Sequence, residues 1–149
     1  MNNNYEINTS TLAILPLEKN CSKIIEEDNV IIINKGTTDI VDNSCKYFGS
    51  SYAGRFEGTK TLLGVNYKAP IIIEESKEII FFPTSSPRIS ECSWLSLNNI
   101  KSYYKNGTTT RIIFKNDIEI TLDLSYNSIE NQILRATRLE SILRKRKNI

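Results

Sequence analysis

The residues best suited to chemistry lie in one run, Lys46-Tyr47-Phe48-Gly49-Ser50-Ser51-Tyr52-Ala53-Gly54-Arg55. It interleaves cations, aromatics, hydroxyls and small residues. Lys46 and Arg55 can neutralise phosphates, with Lys60 a little further on. The hydroxyls of Ser50, Ser51 and Tyr52 can bond phosphate oxygens, and glycine lets a backbone come close to a ligand. The same composition fits an ordinary turn with Tyr47 and Phe48 in the core, and the residues alone leave both readings open.

No catalytic grouping accompanies the run. The chain has no His, which removes any Ser-His or Cys-His pair. Gly49 to Gly54 lacks the Gly-Lys-Ser/Thr that completes a phosphate loop, and Gly54-Arg55-Phe56-Glu57-Gly58 has the wrong spacing for a dinucleotide fingerprint. The carboxylates of Glu26-Glu27-Asp28 and Glu74-Glu75 fall in predicted turns, where solvated charge accounts for them. Cys21, Cys45 and Cys92 are widely spaced, with no Cys-x-x-Cys pair, so buried thiols are expected rather than a disulfide framework or a zinc site. The chain is thus expected not to be an enzyme and to need no cofactor or metal.

Charge is informative through its distribution. Met1 to Pro70 carries 7 basic and 8 acidic residues, net −1, and Ile71 to Leu124 carries 6 and 7, again −1. Ser125 to Ile149 carries 6 and 2, net +4. A basic end on a slightly acidic body fits a polyanionic partner, and it equally fits a solvated tail. The apolar runs Val30–Ile33 and Ile79–Phe82 are too short to span a membrane, and the N-terminus lacks the basic and apolar stretches of a signal peptide. A cytoplasmic protein is expected.

The elements that must position these residues are mostly strands. Leu12–Leu15 is apolar and is expected to stop at Pro16. Lys23–Ile25 and Val30–Ile33 flank a turn, as Ile71–Ile73 and Ile79–Phe82 flank another. Trp94 to Tyr104 reads as a strand or two, followed by the Asn106-Gly107 turn signal. Arg111–Phe114 and Glu119–Leu124 form an expected hairpin whose second arm alternates apolar and polar residues. Asn127 with Glu130 suggests a capped helix start. From there Ile129, Ile133, Ala136, Leu139 and Leu143 recur with helical spacing. Arg135 and Arg138 lie on this helix. It fits core packing with a solvated end as well as it fits DNA contact by its exposed basic side. Asn131 and Gln132 suit helix-to-sheet packing or capping better than base reading. Gly49 to Gly64 reads as a loop leading into a short helix, because glycines weaken a helix interior by roughly 1 kcal/mol each.

Longer motifs carry a resemblance. Cys21-Ser22-Lys23-Ile24-Ile25 is followed by Ile40-Val41-Asp42-Asn43-Ser44-Cys45 leading into the Lys46–Arg55 run. Pro70-Ile71-Ile72, Phe82-Pro83-Thr84, Cys92-Ser93-Trp94-Leu95-Ser96 and Ser125 to Gln132 come next in order. This succession, from Leu12 to about Leu139, resembles the ComK competence regulators, and Phe-Gly-Ser-Ser-Tyr-Ala-Gly-Arg is its most specific phrase. The resemblance implies a cytoplasmic, nucleoid-associated activator of genes for DNA uptake. It implies binding to paired A-tract and T-tract boxes of double-stranded DNA, largely through the minor groove, as homodimers or tetramers that can meet RNA polymerase. Longer members carry a C-terminal extension that engages the MecA adaptor of the Clp protease; the chain ends at Ile149, which puts adaptor-controlled degradation in doubt.

The expectation is one α+β domain over residues 1–149. It would be mostly antiparallel β-sheet, barrel-like, with a C-terminal α-helix and looser ends at 1–8 and 145–149. The expected DNA contacts are Lys46, Ser50, Ser51, Tyr52, Arg55, Lys60, Arg135 and Arg138, with Tyr47, Phe48 and Trp94 assigned to the core. The alternative function is an interaction module that dimerises with a full-length competence regulator and modulates it.

Overall fold

A computed structural model describes residues 3–147. The strands β1 (Thr11–Glu18), β2 (Cys21–Glu26) and β3 (Val30–Ile33) form an antiparallel meander. Two helices follow, α1 (Thr37–Tyr47) and α2 (Tyr52–Leu63), and then β4 (Ile71–Glu74), β5 (Ile79–Pro83) and β6 (Trp94–Ser96). The six strands make one antiparallel sheet in the order β3-β2-β1-β6-β5-β4. A short 3₁₀ turn, Leu97–Asn99, leads to β7 (Ile100–Asn106), β8 (Thr109–Phe114) and β9 (Glu119–Leu122), a second antiparallel sheet of three strands. The chain then enters α3 (Tyr126–Lys147). The α+β class read from the sequence is the class observed.

Strand alternation splits the core in two, because successive side chains point to opposite faces. Ile14, Ile24, Ile71, Phe81 and Trp94 face one way, onto Ile40, Val41 and Cys45 of α1, with Tyr52 and Phe56 of α2 packed at the margin. Ala13, Ile25, Ile72, Ile80, Phe82 and Leu95 face the other way. They meet Ile112 and Phe114 of β8 and the apolar side of α3: Ile129, Ile133, Ala136, Leu139 and Leu143. The large sheet is thus the middle layer, and all five helix positions picked out by their spacing are buried.

Local chemistry explains the departures from expectation. β1 continues through Pro16 to Glu18. β6 pairs with β1 only at Ala13 and Ile14, so Pro16 has a neighbour strand on one side alone and its missing N–H is accommodated. The helix after Gly49 is a full 12 residues, capped by Ser51, whose Oγ accepts from Gly54 N at 3.0 Å. It ends at Gly64 in the left-handed region with φ 70°. α3 starts earlier than the Asn127 signal suggested: Ser125 Oγ accepts from Ser128 N at 3.2 Å, as an N-cap does. Tyr47, assigned to the core, is 65% exposed at the end of α1, where it meets Phe48 edge-on. Trp94 is fully buried, and Phe48 packs against the α1 side of the core.

The expected looseness of the ends falls partly on Met1, Asn2, Asn148 and Ile149, which lie outside the described residues. Among the described ones, Ile7 is buried and its N–H donates to Ser44 Oγ at 3.0 Å, while α3 runs to Lys147. No helix among the described residues is long and apolar enough to cross a membrane.

Candidate nucleic-acid interface

A polyanion requires cations that are not already paired within the protein. Lys46 lies on α1 and pairs with Asp42 at 3.0 Å. Ser50 sits in the α1–α2 corner, its N–H bonded to Cys45 O at 2.9 Å. The Ser51 hydroxyl caps α2, and the Tyr52 N–H donates to Asp42 Oδ1 at 2.9 Å. The corner therefore uses the Ser50 and Tyr52 N–H donors and the Ser51 hydroxyl oxygen, an acceptor, within the protein. The Tyr52 ring meets Trp94 edge-on and stacks on Phe56, and burial raises its pKa.

Arg55 is different. It has no ion pair among the described residues, and its Nε is buried without a hydrogen-bond partner. A half-buried guanidinium left in that state is costly, and an incoming anion would relieve it. Lys60, in the last turn of α2, and Arg138, on α3, are exposed and likewise unpaired among the described residues.

Arg135 reaches across from α3 to the segment after α2. Its Nη1 donates to Tyr67 O at 3.3 Å and to Gln132 Oε1 at 3.2 Å, and its guanidinium lies over the Tyr67 ring, 5.5 Å from the centroid. Buried Gln132 donates from Nε2 to Lys68 O at 2.8 Å and to Pro83 O at 2.7 Å. Two side chains one turn apart on α3 thus grip successive carbonyls of one short loop.

That loop forms the wall between two depressions. One, of about 590 Å³, is lined by Tyr52, Phe56 and Glu57 of α2, by Tyr67 and Lys68, and by Arg88 of the 84–93 loop. The other, of about 90 Å³, is lined by Tyr67, Lys68, Ser128, Asn131, Gln132 and Arg135. The two adjoin at Tyr67 and Lys68, and together, from the start of α3 to the start of α2, they are called the trough. Its cations are Lys68, Arg88 and Arg135; its only lining carboxylate is Glu57.

A depression of about 530 Å³ between α3 and β7 is also rich in charge, but two of its four lining cations are already paired. Arg144 pairs with Glu78 at 2.6 Å and Glu140 at 3.6 Å, and Lys101 pairs with Asp117 at 3.0 Å. Cations already neutralised by neighbours attract an external polyanion weakly. None of the trough's three cations is in an ion pair among the described residues, which makes the trough the better candidate site.

Of the residues singled out in the sequence, Tyr52 and Arg135 line the trough. Lys46, Ser50, Ser51 and Arg55 gather at the α1–α2 corner, while Lys60 and Arg138 stand on the exposed sides of α2 and α3. Tyr67, Lys68 and Arg88 were missed. In the chain they are ordinary loop residues, and only the fold brings them together.

Comparison with known proteins covers nearly the whole chain. The family model described as "ComK protein" matches residues 2–148. The chain belongs to the ComK family. A curated ComK relative, the "Competence transcription factor" of Bacillus subtilis (strain 168), is 42% identical over 141 residues, which cover 92% of this chain and 73% of that protein. No solved structure matches the chain significantly.

Proposed function

We propose that the chain is a sequence-selective DNA-binding activator of competence genes that recognises AT-rich boxes largely through the minor groove. The observation that carries this reading is the trough, where Lys68, Arg88 and Arg135 face a single lining carboxylate. The Bacillus subtilis relative, a competence transcription factor, supports the biological role. The mechanism follows from DNA electrostatics. A-tracts narrow the minor groove and deepen its negative potential, which draws in Arg and Lys. The groove itself distinguishes little beyond A·T from G·C, so much of the selectivity rests on DNA shape. Arg55, unpaired at the α1–α2 corner, together with Lys60 and Arg138, extends the cationic contact to flanking phosphates. Such a protein works in the cytoplasm on the nucleoid, with RNA polymerase as its downstream contact.

The test is a band-shift and footprinting series on a duplex with paired A-tract and T-tract boxes. A second duplex carries inosine–cytosine in place of the A·T pairs, which preserves the minor-groove pattern and changes the major-groove one. Equal affinity for both is expected. Loss of binding to the inosine duplex would turn the reading to the major groove. Arg55→Ala is expected to weaken binding and lower the salt slope by about 1 while the domain stays folded. Unchanged affinity would remove Arg55 from the contact.

A second reading, a module that pairs with another competence regulator, is favoured by β3. It is an edge strand of wholly apolar sequence with Val30 and Ile32 exposed, and such edges invite pairing with another chain. A homodimer or tetramer could form by the same means. Reporter assays separate the two functions: an activator raises transcription alone, a modulator only in the presence of its partner.

A further inference from the structure

Tyr67 is out of keeping with its surroundings. Its ring is 63% exposed, so it adds little to the core. Lys68 beside it holds a left-handed φ of 52°, which side chains other than glycine adopt at a cost. The loop is nevertheless tightly held, its two carbonyls taken by Arg135 and by the buried Gln132. The grip ties the loop to α3, yet the strained backbone still presents to solvent an aromatic ring, with Arg135 over it and with cations beside it that have no ion pair among the described residues.

Two other exposed tyrosines lack this setting. Tyr47 leans on Phe48, and its neighbour Lys46 is paired with Asp42. Tyr104 lies on β7 opposite Arg111, which is tied to Glu119 at 2.7 Å.

We propose that the Asn66–Lys68 loop is the element that enters double-stranded DNA, with the Tyr67 ring wedged against a base step. Lys68 and Arg88 hold the phosphates on either side, and Gln132 and Arg135 are positioning residues. This rests on the DNA-binding reading and adds to it which part of the protein deforms the DNA. Side-chain wedges of this kind unstack a step and kink the duplex, and the bend lets more protein surface meet the backbone. The ring face is what matters, so the phenol oxygen is expendable.

The experiment uses the full chain and an A-tract/T-tract duplex with a donor and an acceptor dye at its ends. Titration gives affinity, and energy transfer at saturation gives the bend. Wild type is expected to bend the duplex. Tyr67→Ala should bind about tenfold or more weakly and leave the duplex nearly straight, while Tyr67→Phe should keep both properties within about twofold. Circular dichroism checks that both variants fold, as an exposed position allows. If wild type binds and Tyr67→Ala binds and bends equally well, the wedge is wrong and DNA binding stands. A straight duplex under saturating wild type, or Tyr67→Phe as weak as Tyr67→Ala, also overturns it. If wild type fails to bind at all, the DNA reading falls and takes the wedge with it.

Discussion

Gln132 divides one amide group between two carbonyls, Lys68 O and Pro83 O, and so joins α3 to the trough loop and to the end of β5. Gln132→Leu would leave both carbonyls without that donor in a buried site. A loss of about 2 kcal/mol is expected in urea unfolding, together with weaker DNA binding. Cys45, on the buried side of α1, makes a simpler case. Burial pushes its thiol up to about 12, from an ordinary value of 9.0. It should resist thiol reagents at pH 8 in the folded protein and react on unfolding; fast labelling of the native state at Cys45 would contradict its burial. At this scale the sequence was partly legible. The packing role of Gln132 could be read from its place on the apolar side of a periodic helix. The exposure of Tyr47 could not, because an aromatic at the end of a helix looks alike whether it turns in or out. Lys68 and Arg88 are 20 residues apart in the chain, and no local pattern announces that they share a wall.

The corner between α1 and α2 shows what decides an element. α2 carries Gly54 and Gly58 within its span, which argues against a helix by propensity. It forms because its start is well capped and because Thr59 and Leu63 are buried. Ser51→Ala should cost about 1 kcal/mol, seen as a lower urea midpoint with an unchanged slope. α1 carries little signal of its own: its N-cap, Gly36, makes no side-chain hydrogen bond, and its helical side is the pairing of Ile40 and Val41 with Ser44 and Cys45. Contact with the sheet supplies what local propensity does not. α3 and the hairpins, by contrast, were legible because period and turn residues agree.

The corner also gives a pH dependence. Burial pulls the Asp42 carboxyl upward, but the Tyr52 N–H bond and Lys46 outweigh it and hold the pKa below the usual 3.8. A carboxyl held low in the folded state adds stability above its unfolded value, lost as pH falls through the folded one. The stability gap between wild type and Asp42→Asn should therefore be constant near neutrality and close below about pH 3.8. A gap that does not narrow at all as the pH falls below 3.8 would mean that the ionised form of Asp42 adds no stability.

For the whole molecule, the formal net charge of +2 says little, since the acidic and basic residues are unevenly placed. Folding pairs Lys101 with Asp117 and Arg144 with Glu78 and Glu140, and leaves the trough with a positive excess. The fold class, the closing helix and most strands could be read from alternation and spacing. The trough could not, because it is assembled from α2, two loops and α3, which meet only after the sheet has formed. The salt dependence of affinity for an A-tract/T-tract duplex, measured for wild type and for Lys68→Ala/Arg88→Ala, tests the trough most directly. The account predicts a steep negative slope for wild type and a slope shallower by about 2 for the double variant, with weaker binding at every salt concentration. A folded double variant that matches wild type in both slope and affinity would show that DNA binds elsewhere on the protein.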